Sequence, residues 1–208
     1  MKILEVRSLA IPDVKVIRWE RFMDSRGYFS ESFRRSDIKS LDFFKDTEFV
    51  QGNESFSRPG TVRGLHFQWQ PPMGKLVRTI RGRMIDMALD IRKNSPTFGK
   101  IILHDMPCSP ERPYNEWMWL PPGFAHGNFF PEETIIEYFC SGEYNHGAEA
   151  GINPLAEDID WSLCQPALKK AFDDLVKGQY LISEKDKAAP AVAGWLADDR
   201  SNNFLYRG

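Results

Sequence analysis

The feature that most constrains the fold is a succession of short runs rich in β-branched and aromatic residues, each closed by glycine, proline or Asn-Ser. The chain has 6 Trp and 15 Phe, residue types that favour strands. Strands are predicted at 14–19, 28–33, 49–55, 63–68, 75–80, 83–91, 100–103, 116–120 and 134–140, with a turn at 24–27. Many short strands separated by such turns favour a sandwich or barrel over βαβ units.

The last third of the chain has a different pattern. Residues 166–178 place apolar side chains on one helical stripe, with Pro166 near the start and Gly178 at the end, which predicts a helix. The stripe consists of Leu168, Phe172, Leu175 and Val176. From Ala188 onward the sequence is compatible with either a short helix or a packed tail.

Composition excludes several classes of protein. At 208 residues the chain predicts one domain, 1–208. A net charge of −2 and a pI of about 6.1 argue against nucleic acid and anionic membranes as partners. Three cysteines without CxxC spacing, a charged N-terminus unlike a signal peptide and no run long enough to span a bilayer predict a cytoplasmic protein.

His66 is the first candidate for chemistry. It lies in an alternating run that puts Leu65 and Phe67 on one face and His66 and Gln68, with Gly64, on the other. Neutral imidazole is a base suited to pH 7, and Arg63 and Lys75 are nearby in sequence. The alternative is a structural histidine satisfied by a neighbour.

The second candidate is His126, in the pattern Pro-x-Gly-x-x-His. A tight turn there could deliver the imidazole to the mouth of a barrel, although loop histidines are often merely solvated. His104 and His146 lack such context and are predicted to be surface residues. A metal site is disfavoured, because Gln68 stands where metal-binding cupins usually offer a second histidine.

Carboxylates and a phenol could assist the imidazoles. Asp86 and Asp90 alternate with apolar residues, so both could face inward, and Asp186 follows in a later segment. Tyr138 could be a proton donor or a core tyrosine with a satisfied hydroxyl. Spacing alone does not separate these alternatives.

An ordered set of motifs resembles the dTDP-4-dehydrorhamnose 3,5-epimerase family across about residues 10–190. The set comprises DSRGYFSE at 24–31, QGNES at 51–55, RGLHFQ at 63–68, KLV at 75–77, DIR at 90–92, SPTFG at 95–99, PGFAHG at 122–127, Tyr138, Tyr144, DW at 160–161 and LISEKD at 181–186. The resemblance implies an all-β-dominated, cupin-type double-stranded β-helix, or jelly roll, with short C-terminal helices. It also implies a homodimer that needs neither cofactor nor metal.

The implied reaction inverts C3 and C5 of dTDP-4-keto-6-deoxy-D-glucose to give dTDP-4-keto-L-rhamnose. The C4 ketone acidifies both hydrogens because the resulting carbanion delocalises into an enolate. By position, the resemblance implies that His66 is the base, with Asp186 behind it, and that Tyr138 is the acid. It implies that Lys75 lies at the ketone oxygen. It also implies a catalytic role for His126, with Asp86 behind it.

The resemblance also implies residues that bind the substrate. Arg26, Phe29 and Glu31 are similar to a segment that reaches the nucleotide, often from the partner subunit. Further contacts are implied for Gln51, Asn53 and Arg63, the last suited to the diphosphate, and for Tyr144 stacking on the sugar, with Glu149 and Lys185 at weaker positions.

Three departures from the family pattern bear on specificity. The loop before Lys75 is one residue shorter, Gly127-Asn128 stands where the family commonly has Gly-Phe, and residues 165–180 are an additional helical insertion. The alternatives are an epimerase of one carbon only or a ketoisomerase on a related nucleotide sugar, a non-catalytic sugar-binding cupin, and a metal-dependent cupin.

Overall fold

The computed structural model describes residues 2–206, and over that range the chain forms thirteen strands. In chain order these are β1 (Ile3–Ser8), β2 (Lys15–Glu20), β3 (Phe22–Asp24), β4 (Gly27–Phe29), β5 (Gln51–Ser57), β6 (Val62–Gln68), β7 (Lys75–Arg81), β8 (Arg83–Asp90), β9 (Ile101–Pro107), β10 (Tyr114–Leu120), β11 (Phe124–Phe129), β12 (Thr134–Cys140) and β13 (Glu149–Gly151). Residues 1, 207 and 208 of the predicted domain lie outside the described range.

Two antiparallel sheets face each other. The large sheet has the strand order β1-β2-β10-β7-β12-β5, and the small sheet has the order β13-β6-β11-β8-β9. Strands β3 and β4 form a separate hairpin. Apart from β1–β2 and β8–β9, neighbours in each sheet are not consecutive in the chain, as expected of a jelly roll, and the prediction of fold class is confirmed.

Apolar side chains fill three layers. Val77, Met118 and Ile136 of the large sheet meet Ala88 and Phe124 of the small sheet in the interior. The two outer faces are covered as well. On the small sheet lie the buried residues Leu65, Phe67, Met87, Phe129, Phe172, Trp195 and Phe204, and on the large sheet Trp19, Trp117, Trp119, Ile38 and Phe44.

The helices are short and cover the ends and outer faces of the sheets. They are α1 (Arg35–Lys39), α2 (Pro166–Lys177), α3 (Glu184–Lys187) and α4 (Val192–Ala197), with 3-10 turns at Asp42–Phe44, His146–Ala148 and Asp199–Asn203. Helix α2 lies where the apolar stripe predicts one. The segment after Ala188 contains a short helix that also packs, because Trp195 and Phe204 are buried against the small sheet. No helix within residues 2–206 is long and apolar enough to cross a membrane.

Some predicted boundaries are wrong. The strand predicted at 28–33 ends at Phe29, because its only ladder is with the three residues of β3. Strands β1, β3, β11 and β13 had not been predicted. Strand β11 was missed because its sequence contains Gly127 and begins directly after the turn at Gly123, which made the segment resemble a loop.

A bulge in β6 sets the geometry of the interior. His126 of β11 pairs with His66, but Asn128 pairs with Arg63, so β6 contains one extra residue between them. Gly64 lies in this bulge with φ +102°, and a Cβ atom there would lie 2.6 Å from the Gly127 Cα. A Cβ on Gly127 would lie 2.5 Å from the Arg63 carbonyl oxygen. Both glycines are therefore required by the close approach of two backbones.

We predict that Gly127→Ala destabilises the protein by about 1–3 kcal/mol, because the clashing atom is backbone and cannot swing aside. Chemical denaturation, with the midpoint and slope compared with wild type, measures the loss. Gly147→Ala is the matched control, since the new Cβ would approach the Asn145 Oδ1 to 3.5 Å, an ordinary contact. Equal stability of the two variants would contradict the tight contact between β6 and β11.

Candidate active site

A cavity of about 600 Å³ opens between the two sheets. His66 on β6 and His126 on β11 reach it from the small sheet, while Lys75 on β7 and Tyr138 on β12 reach it from the large sheet. Asp186 of α3 lies at its edge. The structure therefore gathers into one space residues that are up to 120 positions apart in sequence.

His66 is held by a carboxylate from the C-terminal part of the chain. Its Nε2 lies 2.7 Å from the Asp186 Oδ1, and the Gly64 backbone N–H donates to Oδ2 at 3.3 Å. Burial acts to raise the pKa of Asp186, but its hydrogen bond and charge interaction with His66 and the N–H of Gly64 lower it overall. The His66 side chain is 31% exposed, so the opposite edge of its ring faces the cavity.

The approach of Asp186 depends on a backbone ladder. The segment leading to α3 runs beside the start of β6, where the Val62 N–H donates to the Leu181 carbonyl oxygen at 2.8 Å. Ser183 then caps α3 by accepting from the Asp186 N–H at 3.1 Å. These bonds fix the carboxylate against the imidazole.

The prediction that His126 lies in a loop at the barrel mouth is wrong. It is in the middle of β11, 7% exposed, with its Nε2 2.6 Å from the Asp86 Oδ1. The carboxylate of Asp86 is fully buried on β8, which selects the inward of the two positions that the alternation left open. Burial lowers the pKa of His126 more than Asp86 raises it, and the positive charge of Lys75 lowers it further.

Lys75 and Tyr138 face the histidines from the large sheet. Burial lowers the pKa of Lys75, with Cys140, Glu149 and Asp86 acting in the opposite direction. Burial raises the pKa of Tyr138, against a smaller lowering by its hydrogen bond with Asn53. The phenol therefore keeps its proton at neutral pH.

A second cavity of about 110 Å³ adjoins the first, because His66, Lys75 and Tyr138 line both. Four of the predicted binding residues line it, namely Gln51, Asn53, Tyr144 and Glu149. Glu149 accepts from Lys185 Nζ at 2.8 Å and from Tyr144 Oη at 3.0 Å. Burial acts to raise the pKa of Glu149, and these two hydrogen bonds lower it overall.

Arg63 spans the open side between the sheets. Its Nε donates to the Ser57 Oγ at 2.9 Å and its Nη2 to the Phe56 carbonyl oxygen at 3.0 Å. Because of the bulge at Gly64, Arg63 and His66 line the same cavity although they are three residues apart. A guanidinium beside the imidazole suits an anionic part of a ligand.

Three of the predicted nucleotide contacts do not reach either cavity within the single chain. Arg26 and Phe29 belong to the exposed β3–β4 hairpin, where Phe29 is 67% exposed and Arg26 pairs with Asp24 at 2.7 Å. Glu31 follows the hairpin and accepts from Arg34 Nε at 3.0 Å. Arg26 and Phe29 are therefore exposed to a neighbouring molecule, whereas Glu31 is paired with Arg34.

Three further polar residues, Asp90, His104 and His146, lie outside both cavities. Asp90 faces inward as predicted but is occupied by Arg92, Ser95 and Thr97. His146 is exposed, as predicted. The prediction that His104 is a surface residue is wrong: it is 9% exposed and lies 2.9 Å from the Glu116 Oε1, because alternation along β9 turns it inward.

Cys140 and Asn128 are among the cavity residues to which the sequence analysis assigned no role. Cys140 lies two residues after Tyr138 on the same face of β12, with Asn53 Nδ2 3.6 Å from its sulfur. Asn128 lies two residues after His126 on β11 and lines the larger cavity. Alternation along the predicted strand 134–140 already placed Cys140 on the face of Tyr138, whereas Asn128 was missed because β11 was not recognised.

The arrangement can move protons. It offers an imidazole backed by a carboxylate on one side, a protonated phenol on the other, and an ammonium group and a buried imidazole beside them. No group of three or more His, Cys, Asp or Glu side chains within residues 2–206 is placed to hold a metal ion. Base, acid and cation around one cavity suit removal and return of a proton next to a carbonyl group.

Comparisons with known proteins agree with this chemistry. A family model for dTDP-4-dehydrorhamnose 3,5-epimerase matches residues 8–194. The dTDP-4-dehydrorhamnose 3,5-epimerase of Sinorhizobium fredii is 38% identical over 189 residues, which are 89% of this chain and 88% of that protein.

Two solved structures are also similar. The dTDP-6-deoxy-D-glucose-3,5-epimerase RmlC of Legionella pneumophila, solved with dTDP-4-keto-L-rhamnose, has a TM-score of 0.80 and 31% identity, covering 98% of this chain and 99% of that one. The 3'-monoepimerase ChmJ of Streptomyces bikiniensis, solved with dTDP-quinovose, has a TM-score of 0.71 and 27% identity, covering 90% and 87%.

Proposed function

The chain belongs to the dTDP-4-dehydrorhamnose 3,5-epimerase family, and from its geometry we propose how it inverts C3 and C5 of a dTDP-linked 4-keto-6-deoxy sugar. A base removes the proton from the carbon next to the C4 ketone, the electron pair moves into an enolate, and an acid returns a proton to the opposite face. Repetition at the second carbon gives the 4-keto-L-rhamnose configuration. The protein needs no cofactor for these steps, because the ketone itself stabilises the carbanion.

His66 is the base. Its Nε2 is engaged by Asp186, so Nδ1 is the ring atom that takes the proton from carbon. The carboxylate fixes the tautomer and stabilises the imidazolium that forms. Asp186 itself stays ionised, since its pKa is lowered.

Lys75 receives the enolate oxygen, and His126 lies beside it in the same cavity. A positive charge in a desolvated site stabilises developing negative charge more strongly than it would in water. His126, with its pKa lowered by burial, is neutral at pH 7; because its Nε2–H goes to Asp86, its other ring nitrogen accepts hydrogen bonds and cannot donate one to the enolate oxygen. Asp86 holds its Nε2.

Tyr138 is the acid. Its raised pKa keeps the phenol protonated in the resting enzyme, and it projects from the sheet opposite His66. The single observation that carries this proposal is that His66 and Tyr138 line one cavity from opposite sheets. Lys75 lines the same cavity. Inversion needs a donor on the face away from the base.

The nucleotide end of the substrate is bound by a homodimer. Arg63 pairs with the diphosphate, and Tyr144 packs against the substrate beside Glu149 and Lys185. The exposed hairpin of a partner subunit brings Arg26 and Phe29 to the thymidine. Its exposure supports this arrangement: Phe29 and Phe22 stack on each other at 6.3 Å between ring centroids but remain 67% and 47% exposed.

The cysteines support a location in the cytoplasm. Cys108, Cys140 and Cys164 are all free thiols, as is usual in a reducing compartment.

We predict that His66→Asn and Tyr138→Phe fail in different ways. Loss of the base should lower both solvent exchange and product formation by about 10²–10⁴-fold. Loss of the phenol should leave exchange, because His66 can return the proton to the face it came from, but should abolish inversion. Proton NMR of the dTDP-4-keto sugar in deuterium oxide reports exchange at each carbon, and product analysis reports inversion.

His146→Asn and Tyr114→Phe are the matched controls, since neither residue lines the two cavities. Turnover that survives His66→Asn would contradict the mechanism. The same spectra separate the alternatives: exchange at only one carbon would indicate an epimerase of a single position, the activity named for ChmJ.

A pH profile tests Lys75. Because burial lowers its pKa below the ordinary lysine value of 10.5, the cation is lost as pH rises, and kcat/KM should fall in alkaline solution below that value. Tyr138 loses its proton only above its ordinary value of 10.0. Lys75→Arg should move the alkaline limb to higher pH, because guanidinium stays charged. An unmoved limb would mean that another group controls it.

A mixing experiment tests the shared site. Arg26→Ala/Phe29→Ala in one polypeptide and His66→Asn in another should each be nearly inactive. If the hairpin acts across the dimer, random reassociation gives half heterodimers with one intact site of two, restoring about one quarter of wild-type activity. A hairpin acting within its own subunit would restore none, and co-refolded wild-type protein serves as the recovery control.

A further inference from the structure

Asn128 is a buried amide facing the cavity with part of its hydrogen-bonding capacity unused. It is 3% exposed and lines the larger cavity, and its Oδ1 has no hydrogen-bond partner within the described residues. Asp86 is its cross-strand neighbour on β8, and the Oδ2 of Asp86 is also buried without a hydrogen-bond partner among the described residues. Buried polar atoms are nearly always satisfied, so two adjacent acceptors without donors point to a missing donor.

The amide can satisfy one of these acceptors by itself. A half-turn about the terminal side-chain bond exchanges the amide oxygen and nitrogen. The Nδ2 group would then face the Asp86 Oδ2 across the strand pair, and Oδ1 would face the cavity. In that orientation the buried acceptor of Asp86 is satisfied, and the donor to the amide oxygen must come from whatever fills the cavity.

Packing does not require an amide at this position. Its neighbours on the inner face of β11 are His126 and Phe124, and the family that this chain resembles commonly has phenylalanine at this point of the sequence. A phenyl ring would offer an apolar wall, whereas Asn128 offers a hydrogen-bond acceptor. The substitution therefore changes what the cavity recognises.

The position of Asn128 in the sheet identifies the part of the ligand it meets. It lies between His126, placed beside the ketone oxygen, and Arg63, placed at the diphosphate, because it follows the first by two residues and pairs with the second. In a 4-keto sugar the ring carbons between C4 and C1 that bear hydroxyl groups are C3 and C2. The C3 hydroxyl changes direction when C3 is inverted, but the C2 hydroxyl does not.

Building on the proposed function, we propose that Asn128 accepts a hydrogen bond from the C2 hydroxyl of the sugar and makes the enzyme selective for nucleotide sugars that carry it. The bond orients the ring so that C3 and C5 meet His66. A 2-deoxy sugar leaves the buried amide unsatisfied, and a site built around a hydroxyl group rejects an analogue that lacks it.

The test compares dTDP-4-keto-6-deoxyglucose with its 2-deoxy analogue, measuring kcat/KM for deuterium uptake at C5. Wild type should process the analogue about 10–100-fold less efficiently. Asn128→Leu should lose about the same factor with the parent sugar and nothing further with the analogue. Asn128→Ser, a smaller change, repeats the comparison if the leucine variant is unstable.

Ile136→Val is the matched control, because Ile136 lines the same cavity without a polar group and should affect both sugars equally. Equal efficiency of wild type toward both sugars, or an equal loss on both sugars in the Asn128 variants, would overturn the assignment while leaving the epimerase proposal intact. No uptake from the parent sugar by wild type would overturn the proposed function, and this inference with it.

Discussion

The close contact between the backbones of β6 and β11 determines the polar side of the cavity. Gly64 and Gly127 let the strands approach where any Cβ would clash with backbone atoms, and the bulge shifts their register by one residue. As a result His66, His126 and Arg63 point into one space, although strict alternation would have turned Arg63 away. The Gly64 N–H also donates to Asp186, so the same bulge orients the carboxylate behind His66.

The sandwich divides the chemistry between its sheets. The small sheet carries the two histidines, each held by a carboxylate, and the large sheet carries Lys75 and Tyr138. A planar sugar enolate between two such walls is open to proton transfer on both faces. On the large sheet, burial disfavours the charged forms of both groups, which lowers the pKa of Lys75 and raises that of Tyr138.

Sequence alone predicted the sandwich and the inward face of His66, because both follow from period-two alternation and turn residues. It could not supply the link between His66 and Asp186, which are 120 residues apart and meet through a backbone ladder at Leu181. It also misplaced His126 and His104, since a glycine-rich strand resembles a loop and a lone histidine carries no periodic signal. The residues alone made Asp186 one candidate carboxylate among three, and only the family resemblance placed it behind His66.

Two His–Asp pairs in one cavity raise the question of which imidazole is the base. The His66 side chain is 31% exposed and that of His126 only 7%, so protonated His66 can be hydrated and can exchange its proton with solvent. Charging His126 would place a cation in a desolvated position beside Lys75, and its pKa is lowered accordingly. The difference in burial therefore assigns proton abstraction to His66 and leaves His126 as a neutral hydrogen-bonding group.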